Sequence, residues 1–301
     1  FHLRQIWHLM SRIIYVNGEY RNYPDAHIHV EDRSVQFADG VYEVCEVLNG
    51  CLVDERLHMQ RLLRSLGELQ ITPPMSLRAI GVILRETVRR NGVVNGTVYL
   101  QITRGAARRD FIFPAADTPC GVICLARRAS PAANDAKAAR GLKIITVPDI
   151  RWRRPDIKSI SLLPNALAKQ TAKDAGADDA WFVDDAGYVT EGASNNAWIL
   201  NRDSVLVTRQ ADTGILRGVT RQVLLAGLAQ SSYSFEERAF SVEEAKSARE
   251  AFLTSASALV MPVVSIDGAF IGDGVPGNFA TEMRRLFHNH AETSSKHVLL
   301  T

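Results

Sequence analysis

The segment 151–170, "RWRRPDIKSISLLPNALAKQ", decides how the rest of the chain is read. Lys158 sits between an arginine-rich stretch and a Ser-Ile-Ser-Leu-Leu run, with Asp156 two residues before it. An amine that attacks a carbonyl must spend time unprotonated, and burial or nearby cations supply that state. Arg151, Arg153 and Arg154 lie just upstream as candidate cations. On this segment alone, a solvated or structural lysine is the ordinary reading. A lysine held partly dry for carbonyl chemistry is the sharper one, and it needs support from elsewhere in the chain.

Two later segments bear on it. In "YVTEGASNNAWIL" (188–200), Glu191 follows a strand and precedes a turn-rich loop, Gly192–Asn196, that leads into another strand. A carboxylate there either caps backbone amides or accepts a hydrogen bond from a protonated ring nitrogen. In "TGILRGVTRQVLLAGL" (213–228), Gly214 and Gly218 bracket a short turn and a helix begins near Val219. The free N–H groups of that first turn, with the Thr220 hydroxyl, form an anion site; the plainer alternative is a threonine cap.

Around these segments the chain is an ordinary globular one. Its 301 residues are 46% hydrophobic and 23% charged, with a formal net charge of +2. That balance gives no reason to expect nucleic acid or an anionic membrane as partner. No apolar run reaches the ~18 residues of a spanning helix. The opening "FHLRQIWHLMSRIIYVNGEY" has no apolar stretch followed by a small-residue cleavage site, so a cytoplasmic protein is expected. Residues 1–9 precede a methionine and look unrelated to the remainder of the chain, which makes Met10 the expected natural start. Cys45, Cys51, Cys120 and Cys124 form no C-x-x-C pair and read as reduced, packed thiols. The chain lacks H-E-x-x-H spacing, a G-x-x-x-x-G-K-[ST] loop and a G-x-G-x-x-G turn, so no metal, P-loop or dinucleotide site is expected.

The local patterns predict an α+β organisation. Asn17-Gly18 and Asn49-Gly50 mark two hairpins. Residues 55–70 place Leu57, Leu62, Leu66 and Leu69 on one helical face, and "SLRAIGVILRETVRRNG" reads as a second amphipathic helix closed by Asn91-Gly92. Strands come next at "GTVYLQITRG" and "GVICLAR". The Ala- and Arg-rich stretch 127–140 is the expected linker between a small N-terminal domain (10–126) and a larger C-terminal one (141–287). Strands there are "LKIITV", "AWFVDDAGYVTEG", "NAWILNRDSVLVT" and "AFLTSA", with helices at 164–175, 219–230 and 242–248. Residues 288–301 read as a terminus outside the core.

Taken in order, "EDRSVQFADGVYEV", "QITRG", "DIKSISLLPNALAKQ", "VTEGASNNAW" and "GILRGVTR" resemble the fold-type IV pyridoxal-phosphate aminotransferases. Within that group the chain is most similar to the D-amino-acid (D-alanine) aminotransferases, from about Ile14 to about Leu286. The resemblance implies a two-domain α+β fold with pyridoxal 5'-phosphate at the domain interface. It implies a homodimer that shares its active sites, and D-amino acids and 2-oxo acids as substrates.

Residue by residue, the resemblance implies that Lys158 holds the cofactor and carries the proton, and that Glu191 pairs with the ring nitrogen. Arg61, the Val219 N–H and Thr220 would bind the phosphate. Leu216 would pack on the ring, and Ser194 and Asn195 would line its edge. At the strand end "LTSASAL", Ala256 stands where the family often has a hydroxyl, so its N–H and Ser255 are the expected donors. The substrate end departs further. Val35 stands in the place of a carboxylate-binding tyrosine, and Phe111 in that of a histidine. Arg109 is then the surviving carboxylate ligand, with Arg108 as the alternative register. These losses keep (R)-selective amine aminotransferase, branched-chain L-amino-acid aminotransferase and aminodeoxychorismate lyase open as alternatives. A non-catalytic scaffold of the same fold is the alternative of another class.

Overall fold

The computed structural model describes residues 12–294, so the expected start at Met10 and the end of the tail lie outside the described residues. The chain forms two compact units. The first contains the residues through Ser130, the short segment Ile157–Ser161 and the residues from Glu292. The second contains Pro131–Asp156 and Leu162–Ala291.

In the first unit, Ile13–Val16 (β1) and Glu19–Asn22 (β2) turn at Asn17 and Gly18, with φ of 47° and 100°. Arg33–Phe37 (α1) is a short helix capped by Asp32, whose carboxylate accepts the Ser34 N–H at 2.9 Å. Gly40–Leu48 (β3) and Cys51–Leu52 (β4) turn at Asn49 and Gly50, with φ of 53° and 79°. Positive φ at both central residues is what a two-residue hairpin needs, and Asn-Gly supplies it at little steric cost. Glu55–Glu68 (α2) buries His58, Met59, Leu62, Ser65 and Leu66, and packs on β3. Leu77–Arg90 (α3) is capped by Ser76, and its Ile80, Leu84 and Val88 join the same core. Gly96–Thr103 (β5) and Gly121–Arg128 (β6) complete an antiparallel sheet of order β2-β1-β6-β5-β3-β4.

The second unit begins with a helix, Pro131–Arg140 (α4), followed by Leu142–Pro148 (β7). Next come Leu163–Asp174 (α5), Asp179–Val183 (β8), Val189–Gly192 (β9), Asn196–Leu200 (β10) and Leu206–Thr208 (β11). Val219–Leu228 (α6), Phe235–Glu237 (β12), Val242–Lys246 (α7) and Glu250–Ser255 (β13) follow. Leu259–Ile266 (β14), Ala269–Phe270 (β15) and Asn278–His290 (α8) end the unit. Its sheet runs β12-β11-β10-β13-β14-β7-β8-β9, with β15 on β14. The β14/β7, β7/β8 and β11/β12 pairs are parallel and the rest antiparallel.

Three features differ from the sequence-based expectation. The stretch 127–140 is the end of β6 followed by α4. "PAANDAKAAR" is rich in alanine and opens on proline, which favours a helix even though none of its residues is buried. The central strand β14 has no alternation to reveal it, because all eight residues are buried. Its Pro262 lies outside the register with β7, which begins at Val263. Helix α8 runs to His290, and Glu292–Ser294 are built into the first unit: Ser294 N–H donates to the Leu52 carbonyl at 2.9 Å. The cap of α8 is remote, Glu250 accepting the Phe279 and Ala280 N–H groups at 3.0 Å each.

Candidate active site

Lys158 lies in the short segment Ile157–Ser161, which belongs to the first unit although the chain on either side of it belongs to the second. Tyr42 N–H donates to the Lys158 carbonyl at 3.0 Å, Ile160 N–H to the Gly40 carbonyl at 3.1 Å, and Lys158 N–H to Ser65 Oγ at 3.2 Å. The segment is thus fixed to the start of β3 and to α2 by its backbone. The Lys158 Nζ lies 4.1 Å from the centre of the Tyr42 ring, which stacks on Tyr99. Lys158 is half-buried, with its amine against an aromatic face.

Arg61 sits on α2, and β3 supplies its partner. Arg61 Nε and Nη2 donate to the two oxygens of Glu43 at 2.8 Å each, and His58 Nδ1 lies 2.8 Å from Glu43 Oε2. Glu43 and His58 are both buried. Burial pushes the Glu43 carboxyl upward, but the Arg61 charge and the bonds from Arg61 and His58 override it and hold the group at about 2. Burial presses His58 toward its neutral form, against the pull of Glu43. Sequence reasoning missed Glu43 and His58. A signal existed: Glu43 shares its strand face with Val41, Cys45 and Val47, so alternation alone buries a carboxylate that must be paired.

In the second unit, Glu191 is buried one residue before the end of β9. Its Oε1 accepts the Leu216 N–H at 3.1 Å and pairs with Arg151, and its Oε2 accepts Asn196 Nδ2 at 2.9 Å. Arg151 also grips Asp149, through bonds of 2.9 and 2.6 Å. Arg154 pairs with Asp156 at 2.8 Å. Of the upstream candidate cations, Arg151 and Arg154 are therefore each paired with a carboxylate. Arg151 fixes the position of Glu191.

Asn196 is a second residue that sequence reasoning missed. It bonds both Glu191 and the Leu216 carbonyl, the latter at 3.0 Å. A Cβ on Gly218 would lie 2.0 Å from its amide oxygen, so only glycine fits there. Of the expected edge residues, Ser194 is exposed, whereas Asn195 is buried and donates to Asp179 at 2.9 Å. The Asn195 Oδ1 is buried without a hydrogen-bond partner. Leu216 is half-buried and held through both its N–H and its carbonyl.

Helix α6 begins at Val219 with Thr220 buried, and no side chain caps its N-terminus. Its first amides can therefore receive an anion. Ser255 Oγ accepts the Ala258 N–H at 3.1 Å, closing the turn after β13 in which Ala256 lies. Within the second unit, a buried, oriented carboxylate and an uncapped helix start suit a protonated ring nitrogen and a phosphate; within the first, a lysine on an aromatic face suits a carbonyl.

The expected substrate residues lie in the first unit and are exposed, Val35 by 61% and Phe111 by 79%. The Arg109 guanidinium lies 5.5 Å from the Phe37 ring centre and 5.8 Å from that of Phe111. These two rings meet edge to face at 5.6 Å. Among the described residues, no group of three or more His, Cys, Asp or Glu gathers as a metal site, and no helix is long and apolar enough to cross a membrane.

The family of class IV aminotransferases matches residues 40–266, and the chain belongs to that family. It is 36% identical over 282 residues to a D-alanine aminotransferase of Staphylococcus epidermidis, covering 94% of this chain and 99% of that one. A D-alanine aminotransferase of Bacillus licheniformis is 37% identical over 273 residues, with 91% and 95% coverage. Among solved structures, the branched-chain amino acid aminotransferase of Escherichia coli superposes with a TM-score of 0.85 at 23% identity, covering 93% of this chain and 94% of that one. A hypothetical aminotransferase from Mycobacterium tuberculosis, solved in its PLP-bound form, gives 0.79 at 22% identity, covering 92% of this chain and 98% of that one. The fold is thus that of the fold-type IV aminotransferases, as its motifs implied.

Proposed function

We propose that this protein is a pyridoxal-phosphate-dependent D-amino-acid aminotransferase. It moves the amino group of a donor such as D-alanine to a 2-oxo acid such as pyruvate or 2-oxoglutarate, in two half-reactions. The near full-length match to D-alanine aminotransferases carries the stereochemical part of this reading, since the branched-chain enzymes share only the fold.

When bound, pyridoxal phosphate supplies an electron sink for a carbanion at the substrate Cα. The chain's own residues do the rest. Lys158 Nζ would hold the group and would carry the proton taken from the substrate Cα. The Tyr42 ring under that amine limits its reach and shields it from water. Glu191 keeps a proton on the ring nitrogen, with Arg151, Asn196 and the Leu216 N–H fixing its direction. Leu216 would pack on the ring, and Ser194 and Asn195 would lie at its edge. Arg61, the start of α6 with Val219 and Thr220, and the Ser255–Ala256 turn would hold the phosphate.

Arg109 takes the substrate carboxylate in this reading, because a guanidinium can grip it through two parallel bonds. Val35 and Phe111 leave the rest of that subsite apolar, which admits some (R)-amine turnover. The enzyme works as a cytoplasmic homodimer, with the Arg109 loop serving the partner's site. Incubating the loaded enzyme with pyruvate or 2-oxoglutarate and, separately, D-alanine, L-alanine, L-leucine and a primary (R)-amine tests the assignment. D-Alanine should be the best donor. Turnover confined to L-leucine, or to the amine, would overturn it.

A further inference from the structure

The loop that carries Arg109 is exposed at its tip, yet it springs from a buried ionic cluster. Arg33 and Arg104 both donate through Nε to the same oxygen of Asp39, at 2.7 Å each. Arg33 is 3% exposed and Arg104 8%. Two arginines sharing one carboxylate leave a net positive charge in a dry place, an arrangement that is costly to build unless the remaining N–H groups are also used. They are used, and on the loop. Arg33 Nη1 donates to the Asp110 carbonyl at 2.7 Å, next to Arg109 in the chain. The Arg104 guanidinium lies 3.6 Å from the centre of the Phe113 ring, three residues beyond Asp110. Its other nitrogens bond the Leu69 and Gln70 carbonyls at 2.7 and 3.1 Å, tying the cluster to the end of α2. Arg33 also lies 4.5 Å from the Phe37 ring centre, and Phe37 in turn meets Phe111 and Arg109.

We infer that Arg33, Asp39 and Arg104 are positioning residues for substrate-carboxylate recognition. They hold the 109–113 loop at two points so that Arg109 is presented in one direction. This rests on Arg109 being the carboxylate ligand, as proposed above. The cluster compensates for the apolar residues at 35 and 111: with one charged ligand in place of several hydrogen-bonding ones, binding depends on that ligand being held in advance. None of the three needs to touch the substrate.

The test is a double-mutant cycle on the loaded enzyme. Arg33→Lys keeps a cation for Asp39 but removes the second donor, the one on the loop. It should raise KM for alanine about tenfold with kcat nearly unchanged. In an Arg109→Ala background the same substitution should have almost no further effect on kcat/KM, because its route to the substrate is gone. Arg104→Lys, which loses the contact with the Phe113 ring, serves as the second variant should the first not fold. Losses that add independently in the double variant would overturn the inference, as would a fall in kcat with KM unmoved. An Arg109→Ala variant with unchanged KM would also overturn it. The cycle uses whichever enantiomer of alanine the wild type turns over, so an error in the stereochemical reading shows in the wild type and leaves this test intact.

Discussion

Replacing Glu43 by glutamine should destabilise the protein by about 3 kcal/mol at neutral pH, and the loss should fade in acid. Glu43 is buried at 1% exposure and bonded by Arg61 and His58. Its carboxyl is held at about 2, against 4.5 for an ordinary glutamate. Each unit of such a shift is worth about 1.4 kcal/mol, so the folded state gains about 3 kcal/mol from the ionised form. Because the folded value is the lower one, this stability is fully present above pH 4.5. It is lost as the pH falls toward 2, with more than half gone by pH 3. Seen from Arg61, this is the same loss: its charge left buried without a partner, a defect of about 3–5 kcal/mol in comparable pairs. Urea denaturation followed by circular dichroism at pH 7 and pH 3 measures the gap. A difference under about 1 kcal/mol at pH 7, or one that does not shrink at pH 3, would refute the reasoning.

Lys158→Ala should abolish transamination yet cost only about 1 kcal/mol of stability, since its side chain contributes one contact with Tyr42 while the backbone bonds remain. Borohydride reduction of the loaded wild type should attach the cofactor to the peptide containing residue 158. Glu191→Gln should retain the cofactor and slow the single-turnover half-reaction with D-alanine by about tenfold to a hundredfold, the worth of a charged hydrogen bond of roughly 1.5–3 kcal/mol. Asp54→Asn should act in the opposite sense to Glu43→Gln. Burial, helped by the Glu292 charge and opposed by the Glu292 N–H and Arg56, raises the Asp54 carboxyl to about 6. The ionised form therefore costs stability increasingly as pH rises from 4 to 6. After solvent screening, the asparagine should gain about 1–2 kcal/mol at pH 8 and nothing at pH 4, measured by thermal melts.

Local features and contiguous motifs were legible in the residues alone. The Asn17-Gly18 and Asn49-Gly50 hairpins could be read because positive φ is a steric property of the two residues at the turn. Helices α2, α3, α5, α6 and α7 were legible from spacing or capping over a few turns. Lys158, Glu191 and the "GILRGVTR" turn stood out because each lies in an unbroken run that resembles one family. Contacts between residues far apart in the chain emerged only with folding. Glu43 meets Arg61 only because α2 packs on β3, and Arg151 reaches Glu191 across forty residues. Arg33 and Arg104 share Asp39 only once β3 and β5 have paired. Helix α8 takes its cap from Glu250, and β14 is buried on both faces, so neither leaves a periodic trace. A turn or a helical face is written in neighbouring residues. A buried ion pair is written in two distant ones, and chain folding brings them together where leaving either charge alone would be too costly.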